Sequence, residues 1–126
     1  KAYINTQVLR ANDLQGRSSE LYNELLDAIA EHNREASDVR FYADLLNVSS
    51  RYLAQVTRRI SGKSPKAIIE DYLIHEIERQ LKSTDNTVQE IAYRFGFSSQ
   101  AHFTKFFKKL KGVSPTEFRR IEKLKN

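Results

Sequence analysis

Residues 95–112 read FGFSSQAHFTKFFKKLKG, with five phenylalanines and four lysines in eighteen positions. On a wheel of 100° per residue, Phe103, Phe106, Phe107 and Leu110 fall at i, i+3, i+4 and i+7. That spacing is one apolar stripe of a helix that opens at Ser98 or Ser99 and ends at about residue 111. Ala101, Thr104, Lys105 and Lys108 fall on the opposite side, with Gln100 on the flank. The rings hold the helix to a core, and the polar side chains are held out. A peptide lying on a lipid surface would need the same rings for the membrane, so that reading fails.

A fainter copy lies upstream. VRFYADLLNVSSRYLAQVTRRISGKSP (39–65) aligns with VQEIAYRFGFSSQAHFTKFFKKLKGVSP (88–115). Ala43 pairs with Ala92 at an offset of 49, whereas Gly62 and Pro65 pair with Gly112 and Pro115 at 50, so the later copy has one extra residue in its turn. Each copy reads as a short helix, a tight turn and a second helix. Asn47 and Gly96 stand where the first helix would end on a left-handed residue. The small Ala43 and Ala92 one turn earlier let the second helix cross closely. This is helix-turn-helix grammar, in which the second helix is free to enter a DNA major groove. In the upstream copy the wheel turns Leu53, Val56, Thr57 and Ile60 inward and Arg51, Ala54, Gln55 and Arg58 outward.

Outside the repeat the pattern is also helical, and an all-α fold of seven helices is expected: two helix-turn-helix subdomains joined by a long central helix. The first helix, about 19–33, is amphipathic, with Leu21, Leu25 and Ile29 on one side. A short helix follows at about 38–46 with Ser37 as its N-cap, and the third runs from about 50 to 61. Ser64 caps the long helix of 65–83, whose Pro65 occupies the first helical position, where a missing N–H costs nothing. Thr87 and Glu90 form a capping box for a fifth helix at 88–95, and Ser114 with Glu117 forms another for the last. The helix-turn-helix units thus span about 38–61 and 88–111, within a domain of 19–126. Residues 1–18 are less regular and are expected to be a linker or the tail of a missing N-terminal domain.

Bulk properties narrow the function. A chain of 126 residues with 40% hydrophobic content suits one domain, or two small ones sharing a core. It has no cysteine, which fits a reducing cytoplasm. No apolar run approaches the roughly 20 residues of a membrane span. The net charge of +5 is unevenly spread: −2 over 1–36, +3 over 37–63, −2 over 64–86, +5 over 87–120 and +1 beyond. A solubility surface mixes its signs; two basic islands, one on each repeat, suit a polyanion. His32, His75 and His102 lie on separate helices without ligand spacing, so no metal is expected. Glu70, Asp71, Glu76 and Glu78 have no nucleophile or glycine-rich loop beside them, and no catalytic site or cofactor is expected.

The outward side chains suit base edges. Arg and Lys pair with the acceptors of guanine, Gln with adenine, and Ala or a Thr methyl with the thymine methyl. Arg58 and Lys108, two turns into their helices, are better placed for phosphates. A linker helix of about 19 residues spans roughly 28 Å, against about 34 Å between successive major grooves on one face of the duplex. Double-stranded DNA is therefore the expected partner. A helical protein-interaction module is the alternative, and it leaves the two matched basic islands unexplained.

With these residues in place, the chain resembles the DNA-binding domain of the AraC/XylS family of bacterial transcription regulators. The resemblance covers about 19–120 and is closest in IAYRFGFSSQAHFTKFFKKLKGVSPTEFRR. It implies base contacts from Ser50, Arg51, Ala54 and Gln55 in the first unit and from Gln100, Ala101, Thr104 and Lys105 in the second. Ser64, Ser114 and Thr116 join Arg58 and Lys108 as expected phosphate contacts. It also implies an operator or promoter as target, RNA polymerase as a partner of the intact regulator, a cytoplasmic setting and a missing sensing or dimerisation domain, with this fragment itself a monomer. The first unit departs from the family pattern: Asn47 replaces the turn glycine, and Thr57 stands where the stripe has an aromatic.

Overall fold

The structure, a computed structural model, describes residues 2–32 and 38–125, with side chains from residue 16 onward. Among the described residues there are seven helices and no strand. They are α1 (Ala2–His32), α2 (Val39–Leu45), α3 (Ser50–Ser61), α4 (Pro65–Ser83), α5 (Val88–Arg94), α6 (Gln100–Lys111) and α7 (Pro115–Leu124). The described residues form two compact units, 2–32 with 38–68 and 69–125, and α4 runs from one into the other.

The first unit packs Leu25 and Ile29 of α1, Tyr42 and Ala43 of α2, and Leu53 and Val56 of α3 into a core from which water is excluded. Here α1 begins well before the expected position near residue 19. Residues 2–17 contain no proline, and the single Gly16 costs a helix only about 1 kcal/mol. Ser18 is buried mid-helix, where its Oγ accepts from Arg59 Nη1 at 3.4 Å. The expected cap at Ser37 lies outside the described residues; Asp38 takes the N-cap position of α2 without a side-chain cap bond.

In the second unit Leu73, Ile77 and Leu81 of α4 pack with Ile91 of α5 and with Phe103 and Phe107 of α6, all fully buried. Arg119 fastens α7 to the end of α4: its Nε donates to the Leu81 carbonyl at 3.0 Å and its Nη2 to the Thr84 carbonyl at 3.2 Å. Those carbonyls include one from the last turn of α4, where no intrahelical partner exists. Phe118 meets Phe107 edge-on at 5.4 Å.

Candidate nucleic-acid interface

The two turns are built alike at the level of the backbone. Asn47 has φ 60° and Gly96 φ 82°, the left-handed conformation that reverses the chain after α2 and α5. Val48 N–H donates to the Ala43 carbonyl and Asn47 N–H to that of Asp44; Phe97 donates to Ala92 and Gly96 to Tyr93 in the same pattern. Each second helix then opens on a serine. Tyr52 N–H donates to Ser49 Oγ and His102 N–H to Ser99 Oγ, both at 3.0 Å.

The caps locate the extra residue. Asn47 and Val48 match Gly96 and Phe97 at 49, but Ser49 matches Ser99 at 50, so the insertion is Ser98. Both recognition helices are twelve residues long and end on a left-handed glycine, Gly62 and Gly112. Position by position, Ser50 corresponds to Gln100, Arg51 to Ala101, Ala54 to Thr104, Gln55 to Lys105 and Arg58 to Lys108.

Burial sorts the side chains of α3 and α6. Leu53, Val56 and Thr57 are buried in α3, Phe103 and Phe107 in α6. Ser50, Arg51, Gln55 and Arg58 are exposed, as are Gln100, Ala101, Lys105 and Lys108; Ala54 and Thr104 are half-buried. Each set therefore lies on one open face of its own unit. Thr57, in place of an aromatic ring, is wholly buried and turns its hydroxyl back to the Ala54 carbonyl at 3.2 Å. The apolar stripes are shorter than the wheels predict. Ile60 is 40% exposed and Leu110 36%, and Phe106 is only half-buried. The seven-residue α2 and α5 are about 10 Å long and the recognition helices about 18 Å, so the last turn outruns its partner.

Of the remaining expected contacts, Thr116 is exposed, and Ser64 and Ser114 are half-buried N-caps accepting from Ala67 and Glu117 N–H. The box at Thr87 is complete: its Oγ1 accepts from Glu90 N–H at 3.0 Å, and Glu90 Oε1 accepts from Thr87 N–H at 2.8 Å. Those bonds hold the Glu90 carboxyl below the usual carboxylate range. The box at Ser114 is only half made, because Arg120 takes the Glu117 carboxylate through Nε and Nη2. That pairing lowers the Glu117 pKa and raises that of Arg120. Within the KKLK run, Lys111 is drawn into an ion pair with Glu78 at 2.7 Å, whereas Lys108 and Lys109 stay on the surface.

Three features escaped the sequence reading. Phe97, next to the turn glycine, is the hub of an aromatic cluster, with ring centroids 5.2 Å from Phe103, 5.1 Å from Phe106 and 5.4 Å from His102. The inserted Ser98 places its Oγ 3.3 Å from His102 Nδ1. Tyr93 of α5 is 83% exposed, beside Gln89. An i, i+4 pair on a seven-residue helix gives too short a pattern to be read from sequence. Among the described residues no cluster of His, Asp or Glu is placed to hold a metal ion, and no helix is long and apolar enough to cross a membrane.

Residues 42–121 match the family model described as a helix-turn-helix domain. The raffinose operon transcriptional regulatory protein of Pediococcus pentosaceus is 24% identical over 110 residues, covering 87% of this chain and 40% of that protein. The C-terminal domain of AraT, a response regulator from Geobacillus stearothermophilus, superimposes with a TM-score of 0.73 at 29% identity, over 80% of this chain and 84% of that one. The DNA-binding domain of AdpA, solved in complex with a target DNA, gives a TM-score of 0.72 at 24% identity, over 84% and 95%. The chain spans 32% to 42% of the length of the curated relatives it matches.

Proposed function

Because the chain belongs to the AraC/XylS family of DNA-binding transcription regulators, we propose that it reads double-stranded DNA through α3 and α6, one in each of two successive major grooves. The observation that carries this is the register of the two faces: small and polar side chains are exposed at four corresponding positions and half-buried at a fifth, Ala54 and Thr104, each beside a buried core stripe. Base edges meet Ser50, Arg51, Ala54 and Gln55 in one half-site and Gln100, Ala101, Thr104 and Lys105 in the other. Arg58 and Lys108 face phosphates, and so does Thr116. Ser64 and Ser114 keep a hydroxyl proton free to donate to a phosphate oxygen while serving as caps.

The family is one of regulators rather than enzymes, and the role proposed here involves no catalysis. The domain acts in the cytoplasm as a monomeric reader, and RNA polymerase meets the regulator of which it forms part.

Selection of bound duplexes from a random pool by the purified chain tests the proposal. Two enriched boxes about one helical turn apart are expected. A folded chain that enriches nothing, and whose binding is insensitive to salt, would instead be a protein-interaction module.

A further inference from the structure

A cleft of about 100 Å³ lies between α5 and the start of α6, and its lining includes Gln89, Tyr93, Ser99 and Gln100. Gln89 and Tyr93 stand one turn apart on α5 and are exposed, so the core uses neither. An open groove continues over Gln89, Tyr93 and Arg94. The Glu90 carboxylate in its lining accepts from the Thr87 N–H.

Resting on the assignment of Gln100 to adenine, we propose that Gln89 is a positioning residue that ties this base reading to the DNA backbone. To read adenine, Gln100 donates one Nε2–H to N7 and accepts the N6 amino proton on Oε1. Its second Nε2–H is then left facing the cleft, and a donor stranded away from water is costly. Gln89 borders the same cleft and supplies an Oε1 to accept it. The amino end of Gln89 turns outward, where the first helix of such a unit crosses the sugar-phosphate backbone, and donates to a phosphate oxygen. A phosphate only accepts. It therefore fixes which end of the Gln89 amide faces it, and through Gln89 which end of the Gln100 amide faces N7. Tyr93 adds its hydroxyl to the same strand. The first unit has Arg40 and Ser50 at the corresponding positions, so the amide relay belongs to the second unit alone.

The test uses short duplexes carrying the enriched second box, and versions in which its adenine pairs are replaced in turn. Gln100→Ala marks the pair that Gln100 reads. Gln89→Ala is expected to lower discrimination at that same pair about fivefold or more, the lower end of what a well-held bidentate pair supplies, and to weaken every duplex. Gln89→Lys keeps a phosphate donor but has no acceptor. It is expected to retain overall affinity and still lose discrimination, which neither a plain phosphate contact nor a folding role would produce. Full discrimination in Gln89→Ala, with Gln100→Ala having lost it, overturns the relay and leaves the DNA-reading function standing. Full discrimination in Gln100→Ala removes the adenine assignment and the relay with it.

Discussion

Gly96 and Asn47 occupy one backbone position in two copies, and the difference between them isolates a single physical effect. A Cβ built on Gly96 meets nothing within 4 Å, so a side chain there is opposed by its backbone conformation and not by packing. At φ 82° an ordinary L-residue pays roughly 1–2 kcal/mol, and asparagine less because its short polar side chain bonds locally. Gly96→Ala should therefore lower unfolding stability in denaturant by about 1–2 kcal/mol, and Gly96→Asn by distinctly less. Equal losses would show that space around the turn, rather than its backbone, sets the cost. The residue scale also explains why the first unit keeps its turn with Asn47: the conformation survives the loss of glycine.

At the scale of elements, the helices were legible where a cap or a proline marks them. Ser64, Thr87 and Ser114 bond their helix starts as their residue types require. The start of α1 was not legible, because the apolar pattern of residues 1–18 is less regular than that of the helix they open. The recognition stripes were legible as far as Thr57 and Phe107, apart from the half-buried Phe106, and their last members, Ile60 and Leu110, are exposed. Phe107 lies inside that limit, fully buried against Phe103 and Phe118. Phe107→Ala should cost about 3–5 kcal/mol through the cavity it leaves, and an unchanged melting temperature would contradict its place in the core. The capping box of α5 gives a pH signature. The folded Glu90 carboxyl titrates below its unfolded value, so its stabilisation is complete above the ordinary glutamate pKa of about 4.3. That contribution is lost as pH falls through the lower, folded value. The melting-temperature gap between the chain and Glu90→Ala should accordingly be constant near neutrality and close in acid; a gap that widens in acid would reverse the sign of the linkage.

For the whole molecule, the two basic islands are divided between two compact units, and Arg58 and Lys108 are exposed cations at corresponding positions two turns into the second helix of each repeat. If both units engage the same duplex, each of these cations releases counterions from its own phosphate, and the contributions add. Plotting the logarithm of affinity against that of salt concentration should give a slope that falls by about 0.9 for Arg58→Ala and again for Lys108→Ala, with the double variant losing about twice that. All sequences should weaken alike in these variants. Lys105→Ala is expected to differ in kind, relaxing preference at one or two base pairs of the second box, because its position corresponds to Gln55 in the row proposed to meet bases. A slope that responds to Lys108→Ala alone would mean that only the second unit sits on DNA. A sequence-selective loss in Lys108→Ala would mean that the division between the phosphate row and the base row is drawn one turn too early.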